Sequence, residues 1–407
     1  MKTSAEHPAA ARKLVDAGLT EELARMKLFP KKEMPSGMRK LNYWAMNKIR
    51  KALKDPASSC WTNIFAPVEI LECFDLSCLS MEALSSFMSG FKIEDHLING
   101  AESSGIAPTM CSYHKNFIGG VDAGIFPPVP FSVTTSLACD GNISTFRHVE
   151  RKYGVKSYVI DIPYAFSRDA KGYVTGQLKD LIKALESRTG KKFDIDRLRQ
   201  VIRRENLSRR YYGRYLDEVS HRYYPKTLTL EMFLLFATHL DIGTEDTLEI
   251  FRLLSRDVKK YPEMKGKRIF WDYLIPYYQP TLQEYFNYNE DFMIQAMDMN
   301  MDYMHQMDEA HPLEALAEKM IRNMFNGPYE RRATHVAKLV RHFQPDGVIS
   351  FCHWGCRQSS GGVNILREEM RRIGMPLLVL DGDAIDRRNS HDGQIKTRLE
   401  AFLEMIK

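Results

Sequence analysis

Residues 131–164 read FSVTTSLACDGNISTFRHVERKYGVKSYVIDIPY. Two β-branched, apolar runs, FSVTTSLACD and KSYVIDIPY, flank STFRHVERKYG, which fits a helix. Strand, loop, helix and strand in that order are the rhythm of a parallel α/β domain. Upstream, CWTNIFAPVEILECF (60–74) is another short apolar run followed by turn and helix-start signals, so a first α/β domain is expected over residues 56–165. Downstream the texture turns helical. GQLKDLIKALESRTG places Leu178, Leu181, Ile182 and Leu185 on one face and ends at Gly190. Three further runs, beginning at residues 194, 229 and 244, continue in the same manner, which makes residues 166–265 a helical insertion. KRIFWDYLIP (267–276) then restarts a strand. DGVISFC, a helix from about Ser359 to Ile373, PLLVLDGD and a last helix GQIKTRLEAFLEMI complete a second α/β domain, residues 266–407. Residues 1–55 read as a helical arm, with TEELARMKLF and GMRKLNYWAMNKIRKAL at helical spacing.

Composition narrows the class. A chain of 407 residues, 44% hydrophobic and 27% charged, can build more than one core, and it is neither disordered nor membrane-embedded in composition. No apolar run reaches transmembrane length, and the start MKTSAEHPAAARKLVDAG lacks the apolar stretch of a signal peptide, so a cytoplasmic location is expected. The net charge of +5 is mild. Residues 1–60 hold thirteen Lys/Arg against six Asp/Glu, but no zinc-finger spacing or RNA-binding aromatic motif accompanies them, so no nucleic-acid partner is expected.

Seven cysteines stand at 60, 73, 78, 111, 139, 352 and 356, with no CxxC among them. A site built from them must therefore be assembled from distant segments. In open parallel sheets the loops at the carboxyl ends of strands carry ligands. Cys139 follows FSVTTSLA, Cys352 and Cys356 follow GVISF, and Asp381 and Asp383 follow PLLVL. Cys356 also precedes a helix, where free N–H groups favour a thiolate. Ordinary core filling is the alternative for each thiol. Three thiolates on a metal centre leave one position open to a substrate. Ligand type alone leaves zinc and iron–sulfur both open.

The stretch LDGDAIDRRNSHDGQIKTRLEAFLEMI (380–406) resembles the C-terminal signature of the 2-hydroxyacyl-CoA dehydratase family, which includes benzoyl-CoA reductase subunits: Asp381, Gly382, Asp383, Asp386, Arg388, Gln394, Thr397 and Arg398 fall in register. CWTNIFAPVEILECFDLSCLSMEA, with Pro67, Glu69 and Glu82, resembles the family's first two strands, and MCSYHKNFIGG, LACDGN and HWGCRQ resemble its three cysteine segments, over about residues 56–407. The resemblance implies two flavodoxin-like domains with one [4Fe-4S] cluster in the cleft between them, on Cys111, Cys139 and Cys356. It also implies a related partner subunit, identical or different, and an ATP-dependent iron–sulfur activator that supplies one electron to an acyl-CoA substrate. The expected reaction removes water from a 2-hydroxyacyl-CoA to give an enoyl-CoA through a ketyl radical.

Within that frame Glu82 and His353 are the candidate acid–base groups, and Glu69, Arg357 and Ser359 the candidates for contact with substrate. Arg203, Arg204, Arg209, Arg210 and Arg214, interleaved with Tyr211 and Tyr212, suit the phosphates and adenine of CoA or a solvated helix face. Two alternatives stand beside this reading. One is a low-potential iron–sulfur reductase of small molecules resembling the double-cubane proteins, which would need more of the seven thiols. The other is a non-catalytic cluster-bearing subunit.

Overall fold

The computed structural model describes residues 7–407; residues 1–6 of the arm lie outside the described residues. β1 (Ser59–Thr62), β2 (Ser77–Ser80), β3 (Phe131–Thr135) and β4 (Ser157–Ile160) form one four-stranded parallel sheet in the order β2-β1-β3-β4. β5 (Lys267–Asp272), β6 (Phe292–Met297), β7 (Gly347–His353) and β8 (Leu377–Gly382) form a second in the order β6-β5-β7-β8. Both show the flavodoxin-like order, in which the first strand lies inside the second and the chain then winds the other way. Helices cover both faces, so β1, β3, β6 and β7 are buried at every residue. That burial is why their sequences are apolar or hydroxyl-bearing without strict alternation.

Residues 131–164 fold as expected, with the helix Gly141–Tyr153 between β3 and β4. One strand was not anticipated, and one local expectation needs correction. FMIQAM (292–297) gives little strand signal, being rich in methionine, yet it pairs with β5 along Lys267–Trp271 and forms the sheet edge. The helix expected over about 359–373 is two helices, Arg357–Ser360 and Val363–Arg372. The break falls at Gly362, where the Tyr329 ring lies so close that an added Cβ would sit 2.1 Å from it.

Between the sheets run the helices Arg168–Thr189, Ile195–Val219, Leu228–Leu240 and Glu245–Asp257. Three of the four start on a hydroxyl cap: Ser167, Thr227 and Thr244 accept from the N–H three residues on. The arm helix Ser36–Lys54 packs into the body of the protein. It buries Met38, Leu41, Trp44 and Ile49, and Trp44 and Lys48 both donate to the Asp241 carboxylate, at 3.0 and 2.6 Å. Among the described residues no helix is long and apolar enough to cross a membrane.

Candidate functional site

Strand ends from both sheets open onto one cavity of about 280 Å³. Cys111, the residue before the helix Ser112–Asp122, and Cys139, in the loop after β3, reach it from the first domain, and Cys356, in the loop after β7, from the second. Gly355 makes that approach possible. Its φ is +70°, and a Cβ there would stand 2.8 Å from the Cys111 nitrogen and 2.8 Å from the Thr109 oxygen. Gly355→Ala is accordingly expected to cost about 1–3 kcal/mol through its backbone alone. Urea midpoints measure this, and a change below about 0.5 kcal/mol would contradict it.

Each of the three sulfurs meets one polar side chain. The His353 Nε2 lies 3.2 Å from the Cys111 Sγ, the His114 Nε2 3.3 Å from the Cys139 Sγ, and the Tyr273 hydroxyl 3.1 Å from the Cys356 Sγ. The His353 Nδ1 accepts the Ala384 N–H at 3.0 Å, and a backbone amide can only donate, so the imidazole proton resides on Nε2 and points at Cys111. Burial lowers the pKa of His353 and takes that of His114 down to about 4, keeping both rings neutral. Burial pushes Cys139 up to about 12, with Cys356 adding to the rise, and raises Cys111 through burial, then Cys356 and Cys139. Cys356 thus stands near enough to oppose the ionisation of both Cys111 and Cys139. Among the described residues no three His, Cys, Asp or Glu side chains meet at a point that would hold a single metal ion. The cysteines ring the space instead.

Glu82 lies in the first turn of the helix Met81–Gly90, which Ser80 caps by accepting the Ala83 N–H at 3.1 Å. Its carboxyl lines the cavity, and its Oε2 is enclosed with no hydrogen-bond partner. Burial takes its pKa to about 7, against the pull of the N–H groups of Glu82 and Ile64. A group half protonated near neutrality can both give and take a proton. Asn142 adds a second unpartnered oxygen, Oδ1, to the same wall.

The remaining candidates part company. Arg357 sits at the rim, exposed, and spans the two domains by donating to the Asp140 carboxylate at 2.8 Å. His353 and Ser359 do not line the cavity. The Ser359 hydroxyl accepts the His353 N–H at 3.0 Å and so braces the loop, while His353 stands behind Cys111. Glu69 is elsewhere too, in a buried ion cluster where Lys319 bridges it to Glu205, and burial raises its pKa. Arg209 belongs to that cluster, bonded to Glu205 at 2.6 Å, which dissolves the basic run as a single face. Asp381 pairs with Arg398 at 3.0 Å. Asp383 accepts from Ser112 and from the Ile385 and Asp386 amides, and neither aspartate lines the cavity. Cys60, Cys73, Cys78 and Cys352 are buried, and none lines the cavity.

Sequence reasoning passed over His114, Tyr273 and Arg332. His114 follows Cys111 by one helical turn, and Tyr273 follows β5 at its carboxyl end, so both carried a positional signal. Arg332 carried none. It lies fully buried in the helix Tyr329–Phe343, donating to Asp272 at 2.8 Å, to Asp298 at 2.9 Å and to the Gln358 carbonyl at 2.8 Å. Its guanidinium centre stands 4.9 Å from the centroid of the Tyr273 ring. Tyr273 holds a left-handed φ of +77°, fixed by its N–H donating to Asp298 at 2.7 Å.

Paired flavodoxin-like domains with a cysteine-ringed cavity at their strand ends narrow the chain to proteins that bind at such a junction. Comparison with known families then places it: residues 63–406 match the model described as 2-hydroxyglutaryl-CoA dehydratase, D-component, and the chain belongs to that family. It is similar to a benzoyl-CoA reductase subunit from Thauera aromatica, 24% identical over 83% of this chain and 86% of that one. It is also similar to the (R)-phenyllactyl-CoA dehydratase alpha subunit of Clostridium sporogenes, 24% identical over 75% and 79% of the two chains. A third relative is the (R)-2-hydroxyisocaproyl-CoA dehydratase alpha subunit of Clostridioides difficile, 23% identical over 88% and 92%.

Proposed function

We propose that this chain is the iron–sulfur subunit of a 2-hydroxyacyl-CoA dehydratase-type enzyme, a hydro-lyase that works with a related partner subunit and an ATP-dependent iron–sulfur activator. The observation that carries the reading is the meeting of Cys111, Cys139 and Cys356 at one cavity that also holds the half-protonated Glu82. The residues fit a [4Fe-4S] cluster on those three cysteines: their sulfurs come from three segments, and each meets a polar side chain able to donate to a thiolate. Such a group supplies one-electron chemistry and an open Lewis-acid position when bound.

The chain's own residues do the rest. His353, as the Nε2–H tautomer, steadies the Cys111 sulfur, and Tyr273 does so for Cys356. Apolar walls keep water from a reactive thioester radical. Glu82 handles a proton, giving one to the departing 2-hydroxyl or receiving one from C3. One electron added to the thioester carbonyl makes the ketyl radical anion that expels the hydroxyl; loss of the C3 proton and return of the electron leave the enoyl-CoA and water, with no net oxidation. The three relatives named above are subunits, which supports a partner for this chain.

The test is a serine series. Cys111→Ser, Cys139→Ser and Cys356→Ser are each expected to abolish the brown chromophore of anaerobically purified protein and to lower iron from about four per chain. Cys352→Ser is expected to keep both. Full iron and absorbance after any of the first three changes would remove that residue from the site. A value near eight iron per chain would favour the double-cubane-like reductase instead, a reading that the burial of Cys60, Cys73, Cys78 and Cys352 away from the cavity does not support.

A further inference from the structure

The cavity wall discriminates between acyl groups, on the premise that it receives the thioester. Around the cysteines its surface comes chiefly from Phe65, Met81, Met232, Leu235, Phe236 and Met299. Charge is scarce there. Glu82 stands inside, and among the described residues Arg357 is the one arginine on the wall; it lies at the rim and is already bonded at 2.8 Å to Asp140, which also lines it. No lysine lines the space among the described residues.

Beyond Phe65 a second space of about 30 Å³ does hold Lys319 and Arg209. Those cations are taken. Lys319 bridges Glu69 and Glu205, Arg209 donates to Glu205, and Asp302 faces His239 at 3.2 Å in the same pocket. Two lysine or arginine charges thus face three carboxyl groups, and none remains for a carboxylate brought in by a substrate. An anion at the end of the acyl chain would be desolvated without a partner and would meet Glu82.

We infer that the acyl group of the substrate is uncharged and apolar, and that an acyl chain ending in a second carboxylate, such as glutaryl, is excluded from this cavity by the juxtaposition of an apolar wall, Glu82 and fully matched cations. The methionines shape the breadth of that preference. Met81, Met232 and Met299 are unbranched and polarisable, so the wall yields to branched aliphatic and to aromatic chains alike.

The inference rests on the proposed function, and binding separates the two. Anaerobically purified holoprotein is titrated calorimetrically with three thioesters that lack the 2-hydroxyl and cannot eliminate: 4-methylpentanoyl-CoA, 3-phenylpropanoyl-CoA and glutaryl-CoA. The first two are expected to bind at least tenfold more tightly than the third. Leu235→Arg, which puts a cation on the wall, is expected to weaken the apolar pair at least tenfold and to narrow or invert the order. The comparison in the unaltered protein decides the matter even if that variant does not fold. Equal affinity for all three, or tighter glutaryl-CoA, overturns the inference and leaves the thioester reading standing. Binding of none of the three overturns the thioester reading and the inference with it.

Discussion

Glu82→Gln should lower turnover by about 100- to 10,000-fold, the range for loss of a positioned acid–base group, while leaving iron content and fold intact. Glutamine keeps the shape and loses the exchangeable proton. A second readout separates this from a structural role. Burial lifts the Glu82 carboxyl to about 7, whereas an unfolded glutamate titrates near 4.3. Between those values the folded chain holds a proton that the unfolded chain has released, so stability from this group is greatest below about pH 4 and declines as pH rises through 7. The glutamine variant does not suffer that decline. Relative to the unaltered protein it should therefore gain up to about 3 kcal/mol between pH 4.5 and pH 8. Urea midpoints at the two pH values measure the gain. Undiminished turnover would remove Glu82 from the chemistry, and a pH-independent stability difference would remove the raised pKa.

Arg332→Met should cost about 3–5 kcal/mol, because it strands Asp272 and Asp298 in the core without their cation. Asp298 is already raised towards neutrality by burial and by Asp272, so the pair depends on the guanidinium between them. The same side chain donates to the Gln358 carbonyl just past Cys356 and stacks under Tyr273, which meets the Cys356 sulfur. Loss of stability should thus be joined by loosening of the Cys356 loop, read as faster reaction of that thiol with alkylating reagent in cluster-free protein. Adding Asp298→Asn should recover part of the loss, since one stranded charge is removed. A midpoint shift below about 1 kcal/mol would show that the arginine is dispensable.

The strand–helix–strand pattern of residues 131–164 and the rhythm of GVISFC and PLLVLDGD were enough to specify two parallel α/β domains, because parallel strands covered by helices are written as short runs of apolar and hydroxyl-bearing residues. The positions of Cys139 and Cys356 followed from the same logic, since ligands gather where such strands end. FMIQAM escaped it: methionine has no strong preference for a strand, and only the neighbouring β5 makes one of it.

Side-chain partners were out of reach for a different reason. Nothing local distinguishes Glu69, locked to Lys319 some 250 positions away, from Glu82, left with an unpartnered oxygen facing a cavity. Nor does HWGCRQSS reveal that His353 and Ser359 turn inward while Arg357 turns out to Asp140. Sequence determined the two domains and which loops hold the thiols, because periodicity and strand ends are local properties. Tertiary structure alone decided which polar side chains meet the thiols, which carboxyl is left with an unpartnered oxygen at the cavity and which cations are already matched, because those depend on desolvation and on charges brought together from distant parts of the chain.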